Sequence, residues 1–177
     1  LALAFKAEGL DWVAALAFTA AMLHVFNHAL FKSLLFFGAG AVLGATGERD
    51  MEKLGGLIHR MPWVAWLTLV GALAIAGLPP LNGFVSEWLL LQSFLFTNEL
   101  PRAFVNMLLP LGAALLVLAA ALAGYVMVKF FGVIFLGQPR EAALRTAHDA
   151  GTVERIGLAW LALACVLLGL LPTQIIP

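Results

Sequence analysis

Charge, cysteine and tyrosine are scarce in this 177-residue sequence. Only 11% of the residues are charged, against about 25% in soluble domains. Ten basic residues balance ten acidic ones. That leaves no basic face for nucleic acid and no charged, disordered tail. The single cysteine, Cys165, excludes a disulfide scaffold and any multi-cysteine metal or iron–sulfur site. What is present is apolar: 63% of the residues are hydrophobic and the mean hydropathy is +1.00. The composition is that of an integral membrane protein. The chain opens apolar at Leu1, without a methionine or a signal-peptide pattern, and ends at Ile176-Pro177. It reads as an internal fragment of a longer polytopic protein.

The few charges divide the chain. Lys32 is the only one between Asp11 and Glu48, Glu87 between Arg60 and Glu99, and Lys129 between Arg102 and Arg140, and none follows Arg155. A bilayer core needs roughly 20 apolar residues as helix. These stretches predict an all-α, polytopic bundle, one transmembrane domain over residues 1–177. Its four crossings are expected at about 12–45, 63–96, 104–136 and 156–175.

The second stretch holds Gly77-Leu78-Pro79-Pro80-Leu81-Asn82-Gly83. Two prolines remove two N–H donors and restrict the residues before them, so a helix stops there. A surface hairpin at the prolines would leave halves of about 16 residues, short for a span. A helix interrupted within the membrane between Gly77 and Gly83 fits better, with Pro79, Pro80 and Gly83 as the break. Such a break is tolerated where protein or a wet cavity surrounds it. Loop charge agrees. With a single crossing, the loops Gly47–Pro62 and Gly137–Glu154 share one side and hold Arg49, Lys53, Arg60, Arg140 and Arg145. The other side holds Arg102 and Lys6. The positive-inside rule puts the first two loops in the cytoplasm. Gly38-x-Gly40-x-x-x-Gly44 has the spacing of close helix packing and sits in no phosphate loop.

His24, His28 and Lys32 lie at i, i+4 and i+8, so they share a helix face with steps of about 6 Å along the axis. A charge at mid-membrane costs about 3 kcal/mol or considerably more. The histidines as mere helix contacts with a snorkelling Lys32 is the plain alternative, but snorkelling reaches too short a distance from the middle of this stretch. Metal binding by the two histidines lacks a neighbouring third ligand. A proton relay uses all three: histidine titrates near neutral pH, and burial brings the charged and neutral forms of the other groups closer in free energy. Glu87 follows the break by seven residues, where unwound backbone binds ions or water. Its alternative is a structural salt bridge to a neighbouring lysine. Lys129 lies nearer a span end, where snorkelling is easier. His59 and His148 fall in charged loops and read as solvated. Trp12 and Trp63 stand near span ends, as in an aromatic belt, and Cys165 reads as a small packing residue.

The segment His24-Val25-Phe26-Asn27-His28-Ala29-Leu30-Phe31-Lys32-Ser33-Leu34-Leu35-Phe36 resembles the H-x-x-x-H-A-x-F-K-x-L-L-F segment of proton-pumping antiporter-like subunits. These occur in NADH:quinone oxidoreductase, Mrp-type cation/proton antiporters and group 4 hydrogenases. Gly77 to Glu87 is similar to that family's broken helix, with Glu87 at its terminal Lys/Glu position. Pro79-Pro80-Leu81-Asn82-Gly83-Phe84-Val85-Ser86-Glu87-Trp88 and Val128-Lys129-Phe130-Phe131-Gly132-Val133 look most like the hydrogenase-4 and formate hydrogenlyase branch. The resemblance implies part of an inverted-repeat fold with one discontinuous helix, in a multi-pass protein of the inner (cytoplasmic) membrane. It implies a non-redox, proton-translocating subunit with no cofactor and no metal of its own. Its partners would be other membrane subunits, hydrophilic redox subunits, the lipid bilayer and protons. The relay would comprise Lys32, His28, His24, Glu87 and Lys129. The alternatives are an Mrp-type sodium/proton antiporter subunit and a passive membrane anchor, the latter disfavoured by Lys32 and Glu87.

Overall fold

The computed structural model describes residues 1–96 and 103–175 and, among them, helices and connecting turns without a strand. The helices are α1 (Ala2–Ala7), α2 (Asp11–Thr46), α3 (Pro62–Ile75), α4 (Asn82–Phe94), α5 (Ala103–Phe135), α6 (Thr152–Leu170) and α7 (Pro172–Ile175). α2, α6 and the Asn106–Phe135 part of α5 are each long and apolar enough to cross a membrane. α3 and α4, at 14 and 13 residues, are not.

The helix ends follow local chemistry. α2 stops at Gly47, whose φ of 69° suits a residue without Cβ and whose N–H reaches the Leu43 carbonyl at 2.8 Å. α3 starts with Pro62, at the position where a missing N–H costs nothing. α6 ends before Pro172, which cannot continue it without losing a hydrogen bond. The uninterrupted part of the fourth apolar stretch is therefore Thr152–Leu170, four residues earlier at its start than the sequence suggests, with α7 as a separate turn.

α3 and α4 follow one another along α2 as one interrupted helical path, as contacts along α2 show. Trp12 meets Phe96 edge-to-face at 4.5 Å, His24 meets Ser86, and Asn27 meets Asn82. Further along, Leu34 and Leu35 pack at Gly71, and Gly38 packs at Thr68. Partner numbers fall steadily as α2 numbers rise, through α4 and then α3. Both helices thus run antiparallel to α2, one after the other. In a hairpin the order would reverse at the prolines. By helical rise, α3 covers about 21 Å and α4 about 20 Å, so the break lies near the middle of a path of roughly 40 Å. Only glycine permits two of these approaches: a Cβ at Gly38 would collide with the Thr68 hydroxyl, and one at Gly83 with the Ala74 carbonyl. Gly40 and Gly44, by contrast, have no neighbour among the described residues within 4 Å of where a Cβ would stand, so among those residues only Gly38 of that glycine set packs closely on another helix.

The loop after α2 and the loop after α5 lie at one end of the bundle and are bound together. One Arg140 guanidinium nitrogen (Nη1) donates to the carbonyls of Met51 and Glu52, each at 3.2 Å, and of Leu54 at 2.6 Å. The Gly56 N–H donates to Leu136 O at 2.9 Å. Asp149 accepts from the first-turn N–H groups of α3, Trp63 at 3.0 Å and Val64 at 3.4 Å. The basic loops that the sequence assigns to one side are thus physically one surface. The loop read opposite them, with Arg102, lies outside the described residues apart from Ala103. α5 packs on α3 and is exposed along its apolar length. α6 runs antiparallel to α2, with Leu158 level with Ala41 and Gly169 against Pro80 and Leu81.

Two tests follow at this polar end. Asp149→Ala removes the cap of α3 and is expected to lower unfolding free energy by about 1 kcal/mol, read by thermal unfolding in detergent. Glu48 accepts the N–H groups of Asp50 and Arg49 and pairs with Lys53 at 3.3 Å, so its carboxyl is held below the usual range. A depressed folded-state value gives stability that is present above the unfolded value and lost as pH falls through the folded one. Loop protection measured by hydrogen exchange should therefore weaken on acidification below about pH 4.5, and Glu48→Gln should remove that dependence.

Candidate functional site

The ionisable groups of the apolar stretches gather around the interruption. α3 closes with turn hydrogen bonds: Gly77 N–H reaches Ala74 O and Leu78 N–H reaches Leu73 O, both at 3.1 Å. Pro79 and Pro80 have no N–H to satisfy, and the peptide bond between them is cis. α4 begins at Asn82, so Gly83 is the second residue of α4 and not part of the unwound segment, which covers residues 76–81. Its physical role is the close approach to Ala74 that lets α4 resume beside the end of α3.

A buried polar seam joins α4 to α2. Asn27 Nδ2 donates to the Asn82 carbonyl at 2.8 Å, and Asn82 Nδ2 donates back to Asn27 Oδ1 at 3.2 Å. Both side chains are fully enclosed, as is Ser86. One turn along, His24 Nδ1 lies 3.1 Å from Ser86 Oγ. Asn27, Asn82 and Ser86 are site residues that the sequence reading passes over. Their signal was available: two asparagines within apolar stretches of one charge each, one of them three residues from His24 and the other just after the prolines.

The three residues expected to share an inward face separate in space. His24 is half-buried against α4. His28 is exposed, with its ring 6.2 Å from that of His24 and 5.3 Å from that of Phe31. Lys32 is half-buried and borders a cavity of about 170 Å³ lined by Phe36, Ile75, Met127 and Phe130, with its Nζ 5.8 Å from the Phe36 ring centre. The physical reason is helical drift. Each step of four advances about 40° past a full turn, so from His24 to Lys32 the direction swings about 80°, from the α4 side to the side shared by α3 and α5. The groups form a shallow spiral along α2 instead of one inward column.

Glu87 is half-buried and its carboxylate rests on Gly77, inside the break. Gly77 has φ 65°, so a side chain there would be strained by the backbone and would also collide with the carboxylate. Lys129 is exposed on α5. Among the described residues no ion pair joins Glu87 to Lys32 or Lys129, and no three His, Cys, Asp or Glu side chains converge as metal ligands. The structure therefore draws His24, the Asn27–Asn82 pair, Ser86 and Glu87 around the break. Lys32 stands one cavity away, and Lys129 is separate from the seam.

The sequence profile of the family described as NADH:quinone oxidoreductase/Mrp antiporter, TM, matches residues 9–109, more than half of the chain. The chain belongs to this family. The matched region contains α2, the break, α4 and the start of α5. Formate hydrogenlyase subunit 3 of Escherichia coli K12 is 44% identical over 164 residues, which are 92% of this chain and 27% of that protein. Hydrogenase-4 component B of the same organism is 39% identical over 157 residues, 89% of this chain and 23% of that protein. The chain thus spans about a quarter of the length of these relatives. The solved Mrp complex from Dietzia sp. DQ12-45-1b aligns with a TM-score of 0.74 at 22% identity over 92% of this chain and 37% of that one. That likeness concerns the fold, and it supports an antiporter-like helix bundle with one discontinuous helix.

Contact between Glu87 and Gly77 yields a coupling test. Gly77→Ala should destabilise by about 1–2 kcal/mol from the left-handed backbone alone, and by more with the carboxylate in place. In a Glu87→Ala background the extra loss should vanish, giving a coupling of about 1 kcal/mol in a double-mutant cycle of unfolding free energies.

Proposed function

We propose that this chain forms part of the proton path in a proton-translocating membrane subunit of a redox-driven complex of the hydrogenase-4 or formate hydrogenlyase kind. The carrying observation is the gathering of His24 and Glu87 at an interrupted helix in the middle of an apolar path, with Lys32 close by. Ionisable groups at such depth are costly and are retained where they pair or move charge. Interrupted backbone supplies the polar surroundings that a lipid-facing helix cannot.

In this reading protons pass among Lys32, His28, His24 and Glu87. His24 and His28 hand protons over through water or by ring rotation across their 6.2 Å separation. Glu87 ends the relay on the side away from the basic loops, at the unwound segment. Lys129, on the exposed face of α5, connects the path to whatever lies against that helix. The basic loops face the cytoplasm by the positive-inside rule, and the inner, cytoplasmic membrane is the location that likeness to formate hydrogenlyase and hydrogenase-4 subunits supports. The one cysteine of this chain cannot bind a cluster, and this reading assigns electron transfer to hydrophilic partner subunits.

Lys32→Ala in the full-length subunit is expected to reduce redox-driven proton pumping at least tenfold in proteoliposomes, with the complex still assembled. Glu87→Gln keeps the size and removes the exchangeable proton, and it should lower pumping comparably, whereas Glu87→Lys retains a titratable group and activity. Wild-type pumping by Lys32→Ala or Glu87→Gln would refute the assigned role. Sodium-dependent exchange without redox turnover would instead identify an antiporter.

A further inference from the structure

Within the proposed proton path, on which this inference rests, we infer that Ser86 is a positioning residue that holds His24 with a proton on Nδ1 and leaves Nε2 as the atom that gains and loses the relayed proton. His24 Nδ1 and Ser86 Oγ are 3.1 Å apart, and Ser86 is fully buried. The Ser86 hydroxyl carries one hydrogen. It lies 3.1 Å from the Gly83 carbonyl and 3.5 Å from the Asn82 carbonyl, both within its own helix. The Asn82 carbonyl already accepts Asn27 Nδ2 at 2.8 Å, so Gly83 O is the freer acceptor.

Two hydrogen-bond arrangements satisfy neutral His24. In one, Ser86 donates to Nδ1 and the ring proton sits on Nε2. In the other, Nδ1–H donates to Ser86 Oγ and Ser86 donates to Gly83 O. Only the second serves the protonated ring as well, because an imidazolium has N–H groups at both nitrogens and no acceptor. In that arrangement an arriving proton forms a bond at Nε2, and the same bond breaks when it moves on. The Nδ1 side keeps its hydrogen bonds throughout, with no hydroxyl rotation inside a closed seam. The Asn27–Asn82 pair, one turn away, fixes the first turn of α4 and therefore the position of Ser86 relative to α2. Among the described residues, the rings beside His24 are His28 and Phe31 of its own helix. Glu87, next to Ser86 in α4, rests on Gly77.

The test uses the full-length subunit in its assembled complex, labelled with ¹⁵N-histidine, with the His24 signals assigned by their loss in His24→Asn. The wild type should show the Nδ1-protonated tautomer. Ser86→Ala should turn His24 to the Nε2-protonated form and lower pumping roughly tenfold, the scale of one hydrogen bond to a charged group. Ser86→Thr, which restores the hydroxyl, should recover both readouts. An Nε2-protonated His24 in the wild type, or an unchanged tautomer in Ser86→Ala, overturns the inference. Normal pumping by His24→Asn would instead overturn the relay reading of His24 while leaving the tautomer result to stand by itself.

Discussion

A helix interrupted inside a membrane must keep its freed backbone groups away from lipid, in hydrogen bonds or beside water, and that requirement organises this structure. Unpaired peptide groups facing lipid cost several kcal/mol each. The segment 76–81 meets the constraint in three ways. Its own turns close the end of α3. Its two prolines carry no donor. Its flanks are packed: Asn27 of α2 binds the Asn82 carbonyl, Gly83 meets Ala74, and Gly169 of α6 meets Pro80 and Leu81, while Leu78, Pro79 and Pro80 stay exposed on the other side. Each of these approaches depends on a small or hydrogen-bonding residue at one position. The result is a fixed, polar interruption beside which a histidine and a glutamate can reside at a depth that would otherwise exclude them.

The same geometry explains why α2 is long. At 36 residues it exceeds a single span, and it serves as the continuous rail along which both halves of the broken crossing are aligned. From Trp12 to Gly38 it contacts first α4 and then α3 in one antiparallel order. Its helical drift carries His24 towards α4 and Lys32 towards the cavity by α3 and α5. One helix thereby links the seam at the break to a second compartment on its other flank.

Much of this was legible in the sequence. The isolated charges Lys32, Glu87 and Lys129 mark apolar stretches, and Pro79-Pro80 marks the interruption, because charge cost and missing donors act locally. The choice between hairpin and single crossing also followed from loop charge, and the Arg140 and Asp149 contacts join those loops directly. The exact helix restart was not legible, since Gly83 reads as a breaker until the approach to Ala74 is seen. Nor was the separation of His24, His28 and Lys32, because a periodicity argument assigns a face but does not say which neighbour that face meets. The Asn27–Asn82 pair spans 55 positions, and no local pattern announces such a partner.

The central claim is that groups on α2 and α4 act in series through the interruption. The most direct measurement is the number of protons pumped per electron by the reconstituted full complex for His24→Asn, Glu87→Gln and the double variant. Residues acting as one unit are strongly non-additive. The account predicts that the double variant pumps as poorly as the worse single variant and no worse. Two independent losses that multiply in the double variant would contradict it.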